Sequence, residues 1–335
     1  MKRIFSIVVA LVATITVGAQ NIAVVSPSNT TKIYQTLDEA ITNAEKGSII
    51  YIPGGGFTVT DNAKIDKKLT IMGVSHRGDT DNVDGATIIS GNLNFIKGSS
   101  HSAVIGVYVS GNINVATKED SVANFTMRHC NVNSVLVKNS HSSGMVINQC
   151  YLRGSSDFGG CNVSLENNII HCIREINGGK VNHNIITSNA WAYYTNTYYA
   201  MYNINSSSIS YNYFLNPGNN FYKGSDNYIY HNCRGTALWK DDNDSVQLPE
   251  GTKWEDVFNG YVSDKALSIA SDYHLSKTWA AKNDPSLKGL GIYGFSGTDF
   301  SDKALAPIPR IVSKRVAEST DGSGKLQIEV TVKAQ

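Results

Sequence analysis

Ten of the 17 tyrosines lie between Tyr193 and Tyr230, with Trp191 beside them. Tyr and Trp offer rigid amphipathic faces on which sugar rings stack, and polar groups that bond sugar oxygens. Trp191, Tyr193, Tyr194, Tyr198, Tyr199 and, further on, Tyr222 are therefore the candidate substrate-binding residues. The same tyrosines are good strand formers, so the segment could equally pack on the body of the protein. Charged groups in the middle of the chain are few: Arg128, Lys138, Arg153, Asp157, Glu166, Arg174 and Glu175. Acid–base or cation-binding chemistry would have to draw on these, although outward, solvated positions explain them as well. His129, His183 and His231 each precede a recurrent Cys or Asn, which favours a shared structural turn over metal binding or proton transfer.

What positions these groups is a phrase that recurs from Phe125 to Arg234: apolar, x, apolar, x, x, then Asn or Cys, x, apolar. It reads Phe125-Thr-Met-Arg-His-Cys-Asn-Val132, Met145-Val-Ile-Asn-Gln-Cys-Tyr-Leu152 and Val163-Ser-Leu-Glu-Asn-Asn-Ile-Ile170, and returns more loosely around Asn184, Asn212 and Asn232. The key positions are 20, 18, 16, 28 and 20 residues apart. A period in this range signals stacked units, none of which can bury its apolar face alone. Apolar residues alternate within short runs rich in Val, Ile and Tyr, so each unit is built of strands. The expectation is an all-β chain, a right-handed parallel β-helix of about eight rungs between Leu69 and Arg234. Stacked Asn amides would bond to each other and to the turn backbone. The longest interval, Asn184 to Asn212, holds the Trp191–Tyr199 run, expected to leave the coil as a loop.

Residues 1–19 read as a signal peptide: Lys2 and Arg3, an apolar run, then Val17-Gly-Ala19. An uncleaved anchor is the alternative, though the run is short for a membrane span. The mature chain is expected to lack a transmembrane segment and to be exported to a periplasmic, outer-surface or extracellular location. Residues 20–235 form the β-helix with its N-terminal cap, 236–306 an irregular extension packing on it, and 307–335 a pair of terminal strands. In the cap, Thr36-Leu-Asp-Glu39 is a capping box, with Leu37, Ala40, Ile41 and Ala44 on one helical face and Gly47 as the stop. The terminal strands flank Thr320-Asp-Gly-Ser-Gly324 and, being marginal alone, are expected to pack on the helix. Net charge is +1 with no long basic run, which argues against nucleic acid as a partner. Five cysteines leave at least one unpaired. Cys130 and Cys150 fall one rung apart, too far for a comfortable disulfide, while Cys161 and Cys172 could pair.

Thr36-Leu-Asp-Glu-Ala40, Lys46-Gly-Ser-Ile-Ile-Tyr-Ile-Pro53 and Ile65-Asp-Lys-Lys-Leu-Thr-Ile-Met-Gly73 resemble the opening of secreted right-handed β-helix proteins of the pectin-lyase-like superfamily, with Ser48 in place of the usual acidic residue. Asp272-Tyr-His-Leu-Ser276 and Gly291-Ile-Tyr-Gly294 resemble the closing segments of secreted β-helix proteins of Gram-negative bacteria. Superfamily members include lyases, hydrolases, epimerases and non-enzymes, so fold alone does not choose among them. The motif set of the polygalacturonase-like hydrolases does not occur together here. A lyase of this fold removes the proton beside a uronate carboxylate, using a Lys or Arg base and a cation that neutralises the carboxylate. The resemblance therefore implies Lys138, Arg153 and Arg174 as catalytic candidates. It also implies Asp157, Glu166 and Glu175 as oxygen ligands should calcium take part; no other cofactor is required. The expected partner is a polysaccharide, uronate-bearing in the lyase reading, engaged by a monomer. The alternative is a non-catalytic glycan-binding or adhesion protein on the same fold.

Overall fold

The computed structural model describes residues 21–61, 63–78, 85–188, 190–192, 197–216, 221–262, 271–277, 287, 289–294, 300–302, 310–320 and 322–333. The expected leader at 1–19 lies outside them. Among the described residues no helix is long and apolar enough to cross a membrane.

The alternating apolar runs become two long sheets. In the first, strands Ile49–Tyr51, Thr70–Met72, Ala103–Ile105, Thr126–Arg128, Met145–Asn148, Val163–Glu166, Lys180–Asn182, Ser208–Ser210 and Tyr228–Tyr230 lie side by side, all parallel. An antiparallel pair, Ile22–Val25 and Thr31–Tyr34, extends this sheet at its early end. Each repeat then crosses to the second sheet, as Thr126–Arg128 does through Asn131–Val132 and Val135–Val137 before returning at Met145–Asn148. In later repeats the two second-sheet strands merge into Tyr151–Cys161 and Ile169–Asn177. This all-β arrangement of long parallel sheets is consistent with a β-helix.

Register explains the core. Ile50, Ile71, Val104, Met127, Ile147, Leu165, Val181, Ile209 and Ile229 pair in one column of the first sheet, and none is more than 4% exposed. Phe57, Ile89, Val109, Val132, Leu152, Ile170, Ile186 and Phe214 form the facing column of the second. Both columns belong to one continuous apolar cluster.

The recurrent Asn and Cys sit at the bend between the sheets. His129, Gln149, Asn167, His183, Tyr211 and His231, each immediately before a ladder residue, all have left-handed φ between 51° and 58°. A non-glycine residue there costs roughly 1–2 kcal/mol. The following side chain offsets that strain by bonding the bend. The N–H groups of Asn168, Asn184 and Asn212 donate to the Oδ1 of the next ladder Asn at 3.0, 2.8 and 3.0 Å. Their Nδ2 atoms donate to the same oxygens and back to Ile147, Leu165 and Val181 carbonyls. Cys150 N–H joins this series on Asn168 Oδ1, and Cys130 N–H donates to Cys150 Sγ at 3.4 Å. All five cysteines are free and buried, so Cys161 and Cys172 do not pair; Cys172 Sγ bonds Ser155 Oγ instead.

The early end is closed by the helix Leu37–Asn43, whose Thr36 Oγ1 accepts from Glu39 N–H and which buries Leu37, Ala40 and Ile41. After the last rung, Leu248, Val257, Phe258, Tyr273, Leu290, Ile292 and Phe300 pack on Tyr151, Ile169, Ile185 and Tyr213, a row on the outside of the shaft. Within this extension Phe258–Gly260 pairs antiparallel with Asp272–Leu275. The terminal strands Arg310–Thr320 and Leu326–Lys333 pair with each other. The expected packing of this hairpin on the shaft is not seen among the described residues. Of its described side chains, Val316, Leu326 and Ile328 are exposed.

Candidate functional site

The later half of the second sheet has one outward row in which cations and a phenol alternate. Asp157 pairs with Arg174, Arg174 with Tyr202, and Tyr202 with Lys223. The inward partners of this stretch, Ile173 with Met201 and Ile176 with Ile204, are fully buried and fix the face that the row presents. The Arg174 guanidinium lies 5.9 Å from the Tyr202 ring centre, and Lys223 Nζ lies 5.6 Å from it. Both are within the range of cation–π attraction. Arg174 and Tyr202 are half-buried, whereas Lys223 is exposed.

Backbone irregularity beside the row sets its shape. Glu175 and Asn203 have left-handed φ of 58° and 56°, and Asn203 Nδ2 donates to Glu175 Oε2 at 2.5 Å. In the preceding rung the same bend falls at Gly159 and Gly160, which take positive φ without strain. Gly159 N–H donates to Asp157 Oδ1, which orients that carboxylate.

The tyrosine-rich insertion adjoins this face. Ala190–Ala192 and Thr197–Tyr199 form a small antiparallel ribbon, with Trp191 opposite Tyr198. Tyr198 is 55% exposed, and the Tyr199 ring lies 5.2 Å from that of Tyr202. Tyr193 and Tyr194 fall outside the described residues.

Other candidates are placed elsewhere. Tyr222 pairs with Met201 in an inward column, its ring lies 5.3 Å from Trp239, and its hydroxyl accepts from Asn227. It is part of the scaffold, because the strand alternation that turns Lys223 outward turns Tyr222 inward. Arg153 is also committed to the scaffold. Its Nη1 donates to Tyr108 Oη at 2.8 Å, its Nη2 to the Val109 carbonyl at 2.7 Å, and its guanidinium lies over the Tyr108 ring. Lys138 is exposed and follows Val137, two residues beyond the partner of Asp157. The three candidate cations Lys138, Arg153 and Arg174 therefore occupy different rows. Glu166 stands on the first sheet between Asn148 and Asn182, bonded by Ser164 Oγ at 2.9 Å, whereas Asp157 and Glu175 stand on the second. The candidate calcium ligands are thus not brought together, and no His/Cys/Asp/Glu trio among the described residues could hold a metal.

The histidines serve the bend. His183 stacks on Tyr211 at 4.8 Å and 4°, and His231 Nδ1 lies 2.7 Å from Asp244 Oδ2. Burial holds the His129 and His183 imidazoles below their ordinary range.

Tyr202 was not among the candidates singled out in the sequence. The one available signal was strand alternation, which the left-handed positions at Glu175 and Asn203 interrupt beside Tyr202. The chain matches no protein-family model, no curated protein and no solved structure.

Proposed function

We propose that this chain is an exported right-handed parallel β-helix, of the kind found in the pectin-lyase-like superfamily, that engages an acidic polysaccharide. The observation that carries the reading is the Arg174–Tyr202–Lys223 row. Two cations separated by two rungs stand roughly 10 Å apart along the axis, on the scale of one disaccharide step of an extended glycan. A phenol between them offers a stacking surface for the sugar, while the cations meet carboxylates on either side. Tyr199, its ring 5.2 Å from that of Tyr202, extends this surface sideways.

Binding requires nothing more than this row. The elimination reading draws on part of it: Arg174 would neutralise the uronate carboxylate, and a base close beside that cation would take the adjacent C–H proton. The freed electron pair forms the ring double bond, and the glycosidic oxygen leaves and is protonated.

The test is titration of the protein with polyuronates and with neutral polysaccharides at low and high salt, while following absorbance near about 235 nm, where the unsaturated elimination product absorbs. Salt-sensitive binding of the polyuronate alone supports the acidic-glycan reading, and rising absorbance adds the lyase activity. Equal binding of neutral polymers, or none of any polymer, contradicts it.

A further inference from the structure

We infer that the seam between the C-terminal extension and the shaft is a second saccharide site, one that takes a single neutral sugar unit. A cavity of about 240 Å³ opens there, lined by Arg77, Tyr151, Asp272, His274, Tyr293 and Asp302. It is smaller than the roughly 300–1,000 Å³ of pockets for drug-sized ligands, and suits one sugar ring.

The polar groups are fixed in advance of any ligand. Asp272 Oδ1 accepts from the His274 backbone N–H at 2.9 Å and meets His274 Nδ1 at 2.7 Å. Asp302 Oδ1 accepts from the Tyr293 hydroxyl, and the His274 ring lies flat on Tyr293 at 3.9 Å and 18°. Each carboxylate is therefore pinned through one oxygen. Asp272 Oδ2 has no hydrogen-bond partner among the described residues, and Asp302 Oδ2 has only His274 Nε2, at 3.6 Å, beyond hydrogen-bond range. The opposite wall comes from the shaft. Arg77 Nη1 donates to the Asp302 carbonyl at 2.7 Å, and Gln149 Oε1 accepts from Ser301 N–H at 2.9 Å, so the two walls are tied together.

This donor and acceptor set selects the ligand. Sugar hydroxyls need acceptors and donors side by side, which carboxylates, a guanidinium and phenols supply. Burial pushes the Tyr151 hydroxyl up to about 12, so it keeps its proton near neutrality and can donate, whereas the Tyr293 O–H is spent on Asp302 and leaves that phenol an acceptor. Two carboxylates facing one guanidinium disfavour a uronate, and the guanidinium disfavours a cation. A neutral pyranose satisfies both conditions, so this site differs in charge preference from the Arg174–Lys223 row.

The test is saturation-transfer NMR on the whole chain with glucose, galactose, mannose, xylose and fucose, and separately with galacturonate, while following the His274 ring resonances. At least one neutral sugar is expected to bind and shift His274. Asp272→Asn should weaken that binding about tenfold, while an Arg174→Ala/Lys223→Ala variant should leave it unchanged. Should Asp272→Asn fail to fold, the His274 shifts in the unaltered protein and the Asp302→Asn variant decide the matter. Absence of neutral-sugar binding, binding that leaves His274 unmoved, or binding lost with Arg174 and Lys223 would overturn the inference. Failure of galacturonate to bind anywhere would count against the acidic-glycan reading alone.

Discussion

Asp242 Oδ2 accepts from both donors of Asn232, the backbone N–H at 2.8 Å and Nδ2 at 3.0 Å. Every earlier Asn in the ladder finds those acceptors on the Asn of the next rung, and Asn232 has no such rung. A carboxylate is the natural terminator, since it accepts and needs no further partner to accept from it. Asp242 is only 7% exposed, so its replacement by Leu leaves the buried Asn232 N–H unpaired, while Nδ2 keeps the Ile209 and Tyr230 carbonyls. The expected cost is about 1–3 kcal/mol, read by urea denaturation. Asn168→Leu, inside the ladder, should cost a similar amount, and Asp242→Asn, which keeps one acceptor, should cost less. Unchanged midpoints would mean that the ladder does not hold the bend.

Arg153 illustrates how a cation on a middle rung can be structural. With its guanidinium spent on Tyr108 and the Val109 carbonyl, Arg153→Gln should destabilise by roughly 1–3 kcal/mol yet leave polyuronate binding unaltered. Loss of binding without loss of stability would return Arg153 to the functional face.

Acid should weaken the fold through His76. Burial first, then the neighbouring Arg77 and His129 charges, lower its imidazole from 6.5 to about 3. Between those values the unfolded chain binds a proton that the folded one refuses. Stability therefore falls as pH drops through this window and is fully retained above about 6.5. His76→Phe, which keeps an aromatic ring near Tyr151, removes this proton. Its melting temperature should fall less between pH 6.5 and 4 than that of the unaltered protein. Identical slopes would show that His76 titrates normally.

The thiols offer a count. All five cysteines are buried, and burial pushes the Cys161 and Cys233 thiols up to about 12. Native protein should react negligibly with a thiol reagent at neutral pH, and all five cysteines should react once it is denatured without reductant. Three reactive thiols on denaturation would reveal a disulfide after all.

The fold was legible where one local rule repeats. The ladder positions at 130, 150, 168, 184, 212 and 232 can be read directly because each bend needs the same side chain in the same place. The columns through Ile147 and Leu165 follow from the same spacing. The site was less legible for two physical reasons. Tyr222 was picked for its ring without regard to strand parity, which turns it inward, and the left-handed positions at Glu175 and Asn203 interrupt the alternation beside Tyr202. The C-terminal cavity joins Arg77 to Asp302 across 225 residues, in a segment with no repeat to set its register. The antiparallel pair at Ile22–Val25 and Thr31–Tyr34 was missed because it precedes the periodic part of the chain.

The central claim is that the Arg174–Tyr202–Lys223 row meets an acidic glycan. It is tested most directly by calorimetric titration of a polyuronate into the unaltered protein, Tyr202→Ala and the Arg174→Ala/Lys223→Ala double variant, with matched melting curves. Tyr202→Ala should lose roughly 1–3 kcal/mol of binding, by analogy with other aromatic stacking. The double variant should lose at least as much, together with most of the salt dependence. Unchanged affinity in both folded variants would contradict the account.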